Sequence, residues 1–196
     1  STNNEFRGLT VKSNVNAGIN FMSANVAANR IVSNRIFGPE TYGIQISGVR
    51  NVVSNNPVIA GHVLYGVYVN ASASSNTVVG NAIYSNGSIG VYLNGANVSG
   101  NRLVSNRIYG PNQSDGVAIR DGRRNIVSNN TIRRHTANGV RADRTAASNF
   151  VFGNSIFSNG NGGVSIRSND ADANMIVGNG IWGPGQTLGV AIDAGD

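Results

Sequence analysis

The chain has 196 residues, a formal net charge of +6 from 15 Lys and Arg against 9 Asp and Glu, and no cysteine. Without cysteine there are no disulfides and no thiolate metal sites, and no apolar run reaches the roughly 20 residues of a membrane helix. Only 12% of residues are charged while 26 are glycine, which fits turns and stacked strands better than a disordered, charge-rich segment.

An asparagine opens each of eight units: Asn4, Asn29, Asn51, Asn76, Asn101, Asn125, Asn149 and Asn174, spaced 22 to 25 residues apart. The phrase that follows is Asn-x-apolar-x-x-Asn-x-apolar, as in NRIVSNRI from Asn29 and NTVVGNAI from Asn76. Self-similarity at this period makes the repeat the structural unit. The first predicted strand, near residues 29–33 in the second copy, points Phe6, Ile31, Val53, Val78, Leu103, Val127, Val151 and Ile176 inward.

A second asparagine column comes next: Asn34, Asn56, Asn81, Asn106, Asn130, Asn154 and Asn179, broken only by Leu9. The residue before each is small or tolerant of a left-handed backbone (Gly8, Ser33, Asn55, Gly80), which suits a tight corner. Both columns read as structural ladders that bond coil to coil and satisfy corner backbone. The second strand, near 35–38, points inward with Val11, Ile36, Val58, Ile83, Ile108, Ile132, Ile156 and Ile181. Its outward column reads Lys12, Phe37, Ile59, Tyr84, Tyr109, Arg133, Phe157 and Trp182, whose aromatics predict a stack along the axis, a partner interface or a sugar-stacking strip.

The third strand, near 43–47, carries Gly-apolar-x-apolar, from Gly18-Ile19-Asn20-Phe21 to Gly189-Val190-Ala191-Ile192. Its glycines lie 25, 23, 24, 26, 23, 24 and 26 residues apart, so three coils span 73 residues and point to duplication of a three-coil block. One outward column runs Asn20, Gln45, Tyr68, Tyr92, Ala118, Arg141, Ser165, Ala191, and the next runs Met22, Ser47, Asn70, Asn94, Arg120, Asp143, Arg167, Asp193. The last four alternate in sign, which predicts an ion-pair ladder. Alternatively Tyr68 and Tyr92 stack on sugar rings while Arg120, Arg141 and Arg167 hold carboxylates of an acidic polysaccharide. In β-elimination at a uronate, an Arg can take the proton beside a neutralised carboxylate, so Arg141, Asp143 and Arg120 are the candidate catalytic set.

Three short strands per unit, apolar inside, predict an all-β parallel solenoid of eight coils over residues 1–196, roughly 40 Å long at strand spacing. These phrases resemble the right-handed parallel β-helix, pectin-lyase-like superfamily, and in particular its asparagine-rich branch of bacterial surface proteins, sugar hydrolases and periplasmic copper-site maturation proteins. The resemblance implies an extracellular, cell-surface or periplasmic location, and a fragment of a longer protein ending in a motif like Ala191-Ile192-Asp193-Ala194-Gly195-Asp196. It also implies a structural or binding role toward acidic polysaccharide or a partner chain, with polysaccharide lyase or uronate epimerase as the alternative. The superfamily's paired-aspartate, Gly-His-Gly and Tyr-Gly-Phe-Asp-Pro-His motifs are absent. Neither end carries an obvious cap, so missing segments or self-association would cover them.

The charge comes from fourteen Arg and one Lys, Lys12. Arg presents a planar fork that suits carboxylate, sulfate or phosphate. Arg123, Arg124, Arg133, Arg134, Arg141 and Arg144 form the most basic stretch, but no reading helix accompanies them, which argues against nucleic acid. His62 and His135 lie three coils apart, about 14 Å at strand spacing, too far to share a metal. Asp170 and Asp172, in the turn Asn169-Asp170-Ala171-Asp172, are a weak calcium pair without the nonapeptide calcium pattern. No cofactor is otherwise expected.

Overall fold

The computed structural model describes residues 1–167 and 170–193; Asn169 of the calcium turn and the ending Ala194–Asp196 lie outside the described residues. The described residues form 24 strands in three eight-stranded parallel sheets, each taking one strand per coil in coil order. The first sheet runs from Glu5–Arg7 to Met175–Val177, the second from Thr10–Lys12 to Gly180–Trp182, and the third from Ala17–Phe21 to Leu188–Asp193. Inside, Ile31, Ile36, Ile44, Val53, Val67, Val78, Leu93, Leu103 and Ile108 are fully buried in one continuous cluster. A single coil cannot close such a core, so stability comes from stacking.

The asparagines form the expected ladders. The backbone N–H and Nδ2 of Asn76 both donate to Asn101 Oδ1, at 2.9 and 3.0 Å, and Nδ2 also donates to the Gly48 carbonyl at 2.9 Å. The corner ahead of each is a single left-handed residue, even where it is Arg50 (φ 56°) before Asn51. A non-glycine residue in that region costs about 1–2 kcal/mol, offset by three buried hydrogen bonds. Where Leu9 interrupts the second ladder, its backbone N–H still donates to Asn34 Oδ1 at 2.8 Å.

The second strand's columns need one correction. Ile36 pairs with Ile59, and Phe37 with Ala60. Ile59, not Val58, is therefore inward and fully buried, and Ala60 replaces Ile59 in the outward column. The cause is Pro57, an extra residue between Asn56 and the strand; a one-residue slip exchanges the two faces of a strand.

A third polar ladder escaped the sequence pattern. Glu40, His62, Asn86, Gln113, His135 and Asn159 are each at most 2% exposed, and each occupies the third corner of its coil. The corner rule is the same as for the asparagine columns: Gly61 (φ 76°) precedes His62, Ser85 (φ 52°) precedes Asn86, and Arg134 (φ 62°) precedes His135. Where Gly-Pro lengthens the corner, the longer Glu40 and Gln113 fill the column. This ladder explains the glycine that opens the third strand. A Cβ on Gly43 would come within 2.6 Å of His62 Nε2 and 2.5 Å of the Gly66 carbonyl; one on Gly116 would meet His135 Nε2 and the Gly139 carbonyl at 2.7 Å.

Candidate functional site

Because that glycine turns inward next to an inward valine or isoleucine, the third sheet presents three outward columns instead of two. The additional one precedes the glycine and includes Tyr42, Tyr65, Ile89 and Asp115, which are in register, with Asn138 following on the next coil. Alternation counted from the glycine onward misses it. The three columns bring an aromatic cluster, a charge cluster and a cleft onto one face, in chain order.

In the aromatic cluster, Tyr68 stacks on Tyr92 with ring centroids 5.6 Å apart and planes at 16°, and Tyr42 stacks on Tyr65 at 5.5 Å and 15°. Tyr65 and Tyr92 meet edge-on at 4.8 Å. Tyr92 is only 5% exposed, so its ring faces are used by its neighbours, whereas Tyr42, Tyr65 and Tyr68 keep exposed edges. The Tyr68 hydroxyl accepts from Asn94 Nδ2 at 3.2 Å, and the Tyr92 hydroxyl from Arg120 Nη1 at 3.5 Å. Burial, then the neighbouring phenols, pushes the Tyr65 hydroxyl above its ordinary pKa, keeping it a neutral donor.

In the charge cluster, Arg141 Nε donates to Asp115 Oδ2 at 3.0 Å and its Nη1 to Asp143 Oδ2. Asp115 is 3% exposed and also accepts from Asn138, from Nδ2 at 2.8 Å and from the backbone N–H at 3.2 Å. The ion-pair ladder does not form along its column: Arg120, Asp143, Arg167 and Asp193 are in register, yet Asp143 pairs with Arg141 on its own strand. Arg141 wins because Asp115 already anchors it two residues from Asp143. Arg120 and Arg167 have no carboxylate in ion-pair contact among the described residues; Arg167 Nε donates to Ser165 Oγ at 3.1 Å. Beyond them lies a cleft of ≈ 300 Å³ lined by Asn138, Asn161, Ser165, Arg167 and Asp193.

The second sheet's outward column stacks on itself. Tyr84 lies on Tyr109 at 5.0 Å and Phe157 on Trp182 at 4.9 Å, both with planes at 10°. The Arg133 guanidinium lies 5.1 Å from the Tyr109 ring and 5.9 Å from the Phe157 ring, joining the two pairs. Phe37 follows Lys12 in this column and is separated from Tyr84 by Ala60.

The basic stretch is divided among the faces. Arg123 and Arg124 border a shallow cavity with Ser72, Ser74 and Ser99, Arg133 is in the aromatic stack, and Arg141 is in the acid clamp. Arg144 lies 3.9 Å from Asp121. Among the described residues no three His, Cys, Asp or Glu side chains come together to hold a metal ion, so Asp170 and Asp172 gain no third acid. Phe150, Phe152, Met175 and Val177 form an apolar depression on the first sheet that the sequence pattern did not single out.

Comparison with known proteins places this geometry. The family described as "Right handed beta helix region" matches residues 57–194, and that described as "Periplasmic copper-binding protein (NosD)" matches residues 1–110. No curated protein matches the chain in sequence. Among solved structures, the Azotobacter vinelandii mannuronan C-5 epimerase AlgE4 A-module superposes with a TM-score of 0.81 at 20% identity, covering 100% of this chain and 58% of that one. The periplasmic alginate epimerase AlgG gives 0.76 at 20% identity, covering 97% and 46%. The enzymatically active domain of Bacteriophage CBA120 tailspike protein 2 gives 0.68 at 12% identity, covering 93% and 35%. The chain spans between 35% and 58% of the length of these structures, and at such identities the likeness is one of fold. A copper ion does not fit the described residues: there is no cysteine, both histidines are buried in the third ladder three coils apart, and the two methionines stand at opposite ends of the coil order, Met22 after the first strand of the third sheet and Met175 on the last strand of the first sheet.

Proposed function

The chain belongs to the right-handed β-helix family, and on that premise we propose that it is a polysaccharide-binding module which takes an acidic glycan along the outer face of its third sheet. The observation that carries this is the pair Arg120 and Arg167, two cations in one column that among the described residues have no carboxylate in ion-pair contact, beside the tyrosine cluster. Two coils separate them, about 10 Å at strand spacing, the order of length of a disaccharide in an extended chain. Tyr42, Tyr65 and Tyr68 give the apolar edges on which pyranose C–H faces pack, and Arg offers carboxylates a bidentate fork. An extracellular or periplasmic location accords with the periplasmic description of the NosD and AlgG proteins.

Affinity electrophoresis through polyuronate, sulfated glycan or neutral glycan gels tests the proposal. Retardation by polyuronate that weakens with salt, and that Arg120→Gln with Arg167→Gln reduces severalfold, is the expected result. Unchanged mobility in every gel overturns it.

A lyase or epimerase is the second reading, favoured by Asp143 Oδ1, a buried oxygen with no hydrogen bond beside Arg141. It ranks below binding because Asp115 and Asp143 occupy the donors of Arg141, and arginine offers no acceptor with which to take a proton. Unsaturated or epimerised uronate produced by the wild type and lost in Asp143→Asn would promote it.

A further inference from the structure

We propose that the cleft beside Arg167 is a subsite for one sugar residue, recognised through its hydroxyls and not through its charge. It rests on the glycan reading of this face and narrows it.

Asn138 carries the argument. Its side chain is 1% exposed, and its amide is fixed by Asp115, whose Oδ1 accepts from both Nδ2 and the backbone N–H. Turning the amide over would set two oxygens against each other, so Nδ2 must face Asp115 and Oδ1 must face away from it. That oxygen is buried, has no hydrogen-bond partner, and faces Gly162, which lines the cleft together with Asn138. A buried acceptor left open in this way calls for a donor from outside the chain.

The next coil keeps the approach open. Gly162 follows Asp115 and Asn138 in the same column, and a Cβ there would come to 3.1 Å from Asn138 Oδ1. Its backbone is not left-handed, so no conformational need explains this glycine. Asn161 and Ser165 add polar groups, and Leu188, Ala191 and Ile192 supply an apolar side for the C–H face of a ring. The two charges at the rim are Arg167 and Asp193, in register on neighbouring coils. Within the cleft Asp193 opposes a carboxylate, so the ring held there is read through hydroxyls that donate to Asn138 Oδ1 or Asp193, while Arg167 at the rim stays available to the carboxylate of the neighbouring sugar residue. A volume of ≈ 300 Å³ holds one pyranose and little more.

The test is an NMR titration of the whole chain with methyl α-glucoside, methyl α-mannoside and methyl α-galactoside, with sodium acetate as the charge control. The Asn138 side-chain amide and the Gly162 backbone amide are expected to shift saturably with at least one glycoside and not with acetate. Gly162→Ala is expected to weaken that binding at least tenfold without disturbing distant resonances. Arg167→Ala, which removes part of the cleft lining at an exposed position that tolerates truncation, is expected to weaken it severalfold. Equal shifts with acetate overturn the proposal, as does silence toward every glycoside. Silence here with polyuronate retardation intact removes the subsite and leaves the acidic-glycan reading standing; saturable shifts without retardation do the reverse.

Discussion

His62 Nδ1 lies 3.2 Å from Glu40 Oε2, with both side chains fully buried, whereas His135, 73 residues on, has Gln113 in place of the carboxylate. Burial lowers the pKa of both histidines; for His62 the Glu40 charge opposes the shift, while His135 falls to about 4. The unfolded chain, with histidine near 6.5, binds the proton that folded His135 refuses. This stability is therefore complete above about pH 6.5 and is lost as pH falls toward 4, on the order of 3 kcal/mol in all and about 2 by pH 5. His135→Asn, the residue that Asn86 and Asn159 supply in the same ladder, is expected to remove most of that slope. Urea unfolding at pH 7 and pH 5 measures it, and parallel losses in wild type and variant would sink the assignment.

Arg141 neutralises Asp115, whose side chain is 5% exposed. Arg141→Ala leaves that charge buried with only the Asn138 donors and the Ser114 hydroxyl at 3.4 Å, at a cost of about 3 kcal/mol. Adding Asp115→Asn should recover at least half of the loss. A thermal melt reads both, and a silent Arg141→Ala would show that the clamp does not hold the sheet.

Asn106 Oδ1 accepts from the backbone N–H and Nδ2 of Asn81, at 3.0 Å each, and Asn106 Nδ2 donates to the Val78 carbonyl at 2.8 Å. Asn106→Ala takes the acceptor from the Asn81 backbone N–H and the side-chain donor from the Val78 carbonyl, while Asn81 Nδ2 keeps the Val53 and Val79 carbonyls. At about 1–3 kcal/mol for an unpaired buried group, the cost should exceed about 2 kcal/mol. Asn4, exposed at the start of its column, should cost under about 0.5 kcal/mol on the same change. Equal losses in denaturant titration would mean that ladder position does not matter.

Arg133 fills the gap between Tyr109 and Phe157 with a planar cation. Lysine lacks the flat guanidinium and should lose about 1 kcal/mol. Arg133→Tyr should hold or raise the melting temperature by continuing the aromatic stack. A lysine variant as stable as wild type would show that charge alone is what the column needs.

The features legible in the sequence are those in which every coil repeats one residue type at one offset. Asn29 through Asn174 and the inward isoleucines are of this kind, because each must match the coil below. The third ladder was hidden by its varied occupants, Glu40, His62, Asn86 and Gln113, and by a corner that Gly-Pro lengthens. Tyr42, Tyr65 and Asn138 were hidden because the glycine after each turns inward and breaks the period of two. Charge pairing was misread for a different reason: register brings Arg120 and Asp143 side by side, but Arg141 on the same strand is better anchored.

Pro57 offers a direct test of how the coil length sets the faces. The second strand of its coil has Asn56-Pro57-Val58-Ile59 where the next has Asn81-Ala82-Ile83, so this coil carries one residue of slack. Deleting Pro57 should restore the common offset, with Val58 inward and Ile59 outward. The core then exchanges isoleucine for valine, a loss of about 1 kcal/mol. Deleting Arg107, in the coil that reads Asn106-Arg107-Ile108-Tyr109, has no slack to use and would drive Tyr109 into the space of a fully buried isoleucine. Overpacking of that kind, with Ile108 turned out to solvent, should cost well over about 3 kcal/mol. Circular-dichroism melts of the two deletions separate the cases, and similar melting temperatures would refute the register argument.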